Sequence, residues 1–195
     1  MGKGRNRTEV EDIALLQEIR TFARDLRRSV ARIAPHVEDE RRRVSEKPSR
    51  DLLEASLAWV KQFLLSEAQV RPKSPEETAR EVYALWLFAS YMVEHQGLWV
   101  IDADFDALYE FFFWWYPRQC AEACPELTET LFASLQGFFA FLAEQGAIGN
   151  TAAVDDFWAY RDDALRLLAL YEQLDPDSPY FEEQFDALFG LDWPE

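Results

Sequence analysis

The stretch FFFWWY, Phe111 to Tyr116, sets six aromatic side chains in a row. On an α-helix successive residues turn by about 100°, so six in sequence point all the way round the axis. A helix at the edge of a two-layer bundle buries only one stripe. The run therefore belongs either to a central helix enclosed by others, or to a helix that leaves some of Phe111, Phe113, Trp114 and Trp115 exposed as a contact surface. Both readings require further helices around it.

The flanking sequence supplies them. Residues 8–34 carry Val10, Ile13, Leu16, Ile19, Phe22, Leu26, Val30 and Ile33 at steps of three and four, which predicts an amphipathic helix. Thr8 and Glu11 form a T-x-x-E start signal, and Pro35 marks the end. A second helix follows Ser49, with Leu53, Leu57, Val60 and Leu64 on one face. A third opens at Ser74-Pro75-Glu76-Glu77, a serine cap followed by proline and acids, and stops at Gly97. The fourth begins near Asp102 or Asp104, contains the aromatic run and ends about Tyr116, because Pro117 disfavours helical geometry in the residue before it.

The fifth runs from Pro125 to Gln145 with the stripe Leu127, Leu131, Leu135, Phe138 and Leu142. The sixth, 151–174, turns Val154, Trp158, Leu165, Leu168 and Tyr171 inward. A short one over 179–189 ends at Gly190. No segment alternates with period two. The expectation is an all-α fold, a multi-helix bundle of six to seven helices with an N-terminal amphipathic arm.

Charge divides the chain at about residue 48. Residues 1–50 hold 13 Lys and Arg against 9 Asp and Glu, a net of +4; residues 51–195 hold 7 against 27, a net of −20. This predicts a basic arm with charged linker over 1–48 and an acidic, aromatic-rich helical domain over 49–195. So acidic a body repels nucleic acid and anionic membrane. DNA association is expected only through the arm, by Arg24, Arg27, Arg28, Arg41, Arg42 and Arg43.

The two longest aromatic-rich uncharged runs, 82–93 and 130–143, hold 12 and 14 residues, while a spanning helix needs about 20. No membrane span is expected, and the start MGKGRNRTEV shows no apolar signal region. Two cysteines, Cys120 and Cys124, suit a reducing compartment and read as small packing residues. The expected location is cytoplasmic.

Site chemistry is sparse. His36 and His95 complete no metal motif, and neither cysteine has a partner set for zinc. Asp102, Asp104 and Asp106 begin like a calcium loop, but Ala107 and Phe113 stand where that loop needs Gly and Glu, so helix capping explains these acids better. Asp155 with Asp162, and Asp156 with Asp163, are seven apart and would stack on one helical face, a weak candidate magnesium ladder. No catalytic residue and no cofactor is assigned.

Residues 81–148 resemble a known family. The segments YALWLFASYMVEHQG, DFDALYEFFFWWYP and LTETLFASLQGFFAFLAEQGAI are similar to the SAM-like core-binding helical domain of tyrosine recombinases, the last through Phe138, Phe139, Phe141, Leu142 and Gly146. The resemblance implies a local helix arrangement. The chain has no room for that family's catalytic domain, and this region carries Arg118 alone against ten acids, so neither catalysis nor DNA binding carries over.

The leading expectation is a non-catalytic interaction protein that binds another protein or a second copy of itself. Its contact residues would be the aromatic run and, on the arm, Ile19, Phe22, Leu26 and Val30. The alternatives are a metal-dependent phosphate-ester enzyme using the aspartate ladder, and a nucleic-acid-associated protein acting through the arm.

Overall fold

A computed structural model describes residues 8–33 and 49–190. The fold is all-α. Among the described residues there is no strand, and the continuous helical runs number seven. They are α1 (Glu9–Ile33), α2 (Ser49–Val70), α3 (75–95), α4 (105–119), α5 (Pro125–Glu144), α6 (152–171) and α7 (Phe181–Phe189). Among the described residues no helix is long and apolar enough to cross a membrane.

The start signals read from sequence are made as hydrogen bonds. The Thr8 backbone N–H donates to Glu11 Oε2 at 2.7 Å, and Ser74 with Glu77 forms a full reciprocal box at the head of α3. Asp104 caps α4 by accepting from the Ala107 N–H at 2.8 Å, the capping role expected of it. Gly97 and Gly146 stop α3 and α5 with φ of 67° and 69°, a region costly for residues with a Cβ.

Two compact units result. One joins α1 to α7 and the end of α6; the other holds residues 49–162, with the division falling between Asp162 and Asp163. This differs from the expected boundary at residue 48. The described arm is a packed helix, because α1 lies against α7 and buries Leu15, Leu16, Ile19, Phe22, Ala23 and Leu26. Its N-terminal end is tied to residues 178–184: Ser178 Oγ donates to Asp12 Oδ2 at 2.8 Å, and Gln184 Nε2 to the Asp12 carbonyl at 2.9 Å. Arg20 pairs with Glu183, and Arg166 reaches Glu18 at 3.5 Å while lying over the Phe22 ring. The buried stripe is rotated from the expected one, since Val10 and Ile13 are exposed and Leu15 and Ala23 take the inner positions.

In the 49–162 unit, α3 packs on α5, and α2 lies against both. The stripe of α5 is as read from sequence: Leu127, Leu131, Leu135, Phe138 and Leu142 are all buried. In α2 Val60 is buried as expected, but Leu52, Ser56 and Phe63 take the inner positions from their half-buried neighbours Leu53, Leu57 and Leu64, a shift of one residue. The Phe63 ring explains the shift, since it lies 5.6 Å from Phe138 and 5.7 Å from Phe141 of α5. Gly137 lets the helices approach so closely, for a Cβ there would sit 3.3 Å from Phe63.

The aromatic run is core. Phe111, Phe112, Phe113 and Tyr116 are all enclosed. Phe111 meets Phe88 of α3 edge-on at 5.2 Å, Phe112 meets Phe132 of α5 at 4.2 Å, and Phe112 and Phe113 both reach Phe157 of α6. Helices on three sides thus absorb three consecutive phenylalanines.

Two irregularities have no local signal in the sequence. Tyr91–His95 of α3 and Phe111–Trp115 of α4 are π-helical, with the N–H of Gln96 bonding the Tyr91 carbonyl and that of Tyr116 the Phe111 carbonyl, each five residues back. The second explains why α4 does not end at Tyr116. Tyr116 stays helical (φ −58°, ψ −51°) and the helix continues to Gln119, because the wider π turn gives room for the Pro117 ring, which in a regular helix would strike the carbonyl four residues back.

Candidate functional site

The two π turns lie side by side and build a half-exposed shelf. From α3 come Tyr91, His95 and the following Gln96; from α4 come Glu110, Trp114, Trp115 and Arg118. The Tyr91 ring is 5.3 Å from Trp115 and stacks on His95 at 5.4 Å, and His95 in turn stacks on Trp114 at 6.0 Å. The Arg118 guanidinium lies 4.3 Å from the centre of the Trp114 ring. The polar edge is organised around Glu110: His95 Nε2 lies 3.1 Å from one carboxylate oxygen and Gln96 Nε2 donates to the other at 2.9 Å. Gln96 also donates to the Tyr91 hydroxyl at 2.7 Å.

The π register is what makes this surface. Each π turn carries more residues than an α turn, so the side chains after Phe113 are re-aimed. Three phenylalanines point inward and both tryptophans come to a half-buried position. Tyr91 is buried beneath them, and the tryptophans and arginine left on the patch are residue types enriched at interface hot spots. Both oxygens of Glu110 are engaged, which leaves the shelf suited to recognition through ring faces and amides.

Beside the shelf, Tyr116 secures the turn into α5. Its phenol oxygen lies 3.1 Å from the Thr128 hydroxyl and accepts the Cys124 N–H at 3.3 Å. Burial pushes its pKa up to about 12 from the ordinary 10.0, against the opposing pull of those bonds. A phenol that ionises later in the folded chain than in the unfolded one stabilises the fold below pH 10 and loses that contribution as pH rises toward 12. Burial also raises Tyr83, so in an alkaline tyrosinate titration Tyr116 should belong to a late-ionising group, and Tyr116→Phe should lower the late amplitude by one phenol; an unchanged late amplitude would refute it.

The other residues singled out from sequence fall elsewhere. Phe111 and Phe113 are fully buried, so they present nothing to a partner. Ile19, Phe22 and Leu26 are likewise buried, and Val30 is half-buried; burial in the α1–α7 unit corrects their reading as contact residues. Arg24, Arg27 and Arg28 are exposed. Arg24 and Arg27 line a shallow hollow with Glu183 and Asp186, which places acids among the basic groups. Arg41, Arg42 and Arg43 lie outside the described residues.

The aspartate ladder does not form. Residues Asp156–Tyr160 are a 3-10 turn of about three residues per turn, so positions seven apart no longer stack. Asp155 accepts from Thr151, Asp162 pairs with Arg161 at 3.0 Å, and among the described residues no three His, Cys, Asp or Glu side chains gather to hold a metal.

The residues missed from sequence are Gln96, Glu110 and Arg118. His95 reads from sequence only as a helix-end residue, and the signal that joins them is a polar residue closing an aromatic run on each of two neighbouring helices. Comparison with protein-family models, curated proteins and solved structures finds no match.

Proposed function

We propose that this protein works by binding and not by catalysis: a cytoplasmic, acidic helical module that takes a basic segment of another protein onto the shelf of His95, Trp114 and Trp115. The observation that carries this reading is the pair of adjoining π turns, which bring two tryptophans and a histidine to a half-exposed face of an otherwise inward-facing aromatic run. A formal charge of −16 steers a basic partner toward the chain and speeds encounter, and the ring faces then supply affinity. The metal-dependent reading has, among the described residues, no gathered carboxylates to support it. The nucleic-acid reading meets acids interleaved with the basic face of α1.

The test is affinity capture from an extract of the source organism, comparing the wild type with Trp114→Ala/Trp115→Ala. A basic protein should be retained by the wild type, released by salt and lost from the variant, whose thermal melt shows it still folded. Equal capture by both would refute the shelf as the contact. Light scattering resolves the remaining partner: a dimer of the 22.8 kDa chain that reverts to monomer in the variant assigns the shelf to a second copy.

A further inference from the structure

A groove of about 470 Å³ opens between α2, α3 and α5, away from the residues of the shelf. Phe63, Pro72, Ala133 and Gly137 give it an apolar lining, Thr130 and Ser134 add hydroxyls, and Arg71, Lys73 and Arg80 stand along it. Residues 49–162 hold only seven Lys and Arg against eighteen Asp and Glu, so three of the seven share this one groove.

The acids of the groove are already engaged. Glu81, 7% exposed, receives Lys73 Nζ on both carboxylate oxygens, at 2.8 and 2.9 Å, and Glu67 lies 3.5 Å from the same ammonium. Glu77 is held by the Ser74 backbone N–H at 2.8 Å as part of the α3 cap. That bond, foremost, keeps its carboxyl below the usual range. The two guanidiniums are different. Among the described residues no carboxylate comes within ion-pair distance of Arg71 or Arg80. Arg71 also lends its charge to Glu77, yet both guanidiniums keep donors that no carboxylate of the groove takes up.

We propose that this groove is a binding site for an oxyanion, the phosphate or carboxylate end of a small molecule, held by Arg71 and Arg80 against the Lys73–Glu81 pair. Each guanidinium presents up to five donors in a planar fork that matches two oxygens at once. The volume lies within the range of small-molecule sites, about 300–1,000 Å³. The apolar lining suits the remainder of such a ligand. The acidic body repels anions in general, so an anion that binds must be held by the groove itself.

The experiment is titration calorimetry of the full chain with pyrophosphate and with citrate, at ionic strength matched by potassium chloride. One of the two should bind with one-to-one stoichiometry; pyrophosphate alone identifies a phosphate site, citrate alone a carboxylate site. Arg71→Gln/Arg80→Gln should weaken it at least about tenfold, since charge-assisted hydrogen bonds are lost. Arg50→Gln/Lys61→Gln, which removes the same charge from exposed positions outside the groove, should leave it unchanged. Absence of heat from both anions at millimolar concentration, or equal weakening in both variants, would overturn the proposal.

Discussion

Phe112→Ala is expected to destabilise the 49–162 unit by about 4 kcal/mol, the range of a fully buried phenylalanine truncated to alanine. Phe112 is 1% exposed and its ring meets Phe111, Phe132 and Phe157 at centroid distances of 5.0, 4.2 and 5.4 Å. Those partners come from α4 itself, α5 and α6, so the cavity left behind cannot close by moving one helix. For a unit of this size the midpoint should fall by about 15 °C. Trp114→Ala is the internal control. Its ring is half-exposed, and the change should cost about 1 kcal/mol, even though tryptophan is the larger side chain. Thermal or urea melts of the two variants decide the matter: if Trp114→Ala costs as much as Phe112→Ala, the division of the run into an inward and an outward part is wrong.

Ile19→Asp should be nearly as damaging, and its effect should be felt at the other end of the chain. Ile19 has no exposed surface, and α1 packs on α7. A carboxylate there loses its hydration or drives the helices apart, at about 4 kcal/mol. Hydrogen exchange should then show lost amide protection in α1 and in residues 181–189 together. Were residues 8–33 an unattached arm, the substitution would be silent or would improve solubility, and protection at 181–189 would not change. Unaltered exchange in α7 would sink the assignment of α1 to its unit.

How much of this was legible depends on the helix. In α5 the apolar residues form a single stripe, and period alone named Leu127, Leu131, Leu135, Phe138 and Leu142 correctly. In α1 and α2 there are more apolar residues than one stripe can hold. Leu52 and Leu53, or Phe63 and Leu64, are equal candidates until the rings of Phe138 and Phe141 select Phe63. In α6 the 3-10 turn at Asp156–Tyr160 replaced Trp158 by Phe157 and Tyr160 as inner residues and dispersed the carboxylates expected to stack. The polar contacts that join the shelf's two helices are not local: Glu110 meets Gln96 and His95 across fourteen and fifteen positions.

By itself the sequence determined the helical class, the caps at Thr8 and Ser74, a cap for α4 at Asp102 or Asp104, the stops at Gly97 and Gly146, and the net charge of −16. Each is a property of a residue and its neighbours within a turn or two, where backbone hydrogen bonding and periodicity act. Only the tertiary structure decided which face of α1 and α2 is buried, that α1 belongs with α7, and that Phe111–Tyr116 divides into core and shelf. Those outcomes turn on the few kcal/mol by which one packing of aromatic rings exceeds another, and on two π turns whose wider register is maintained by the rings packed around it.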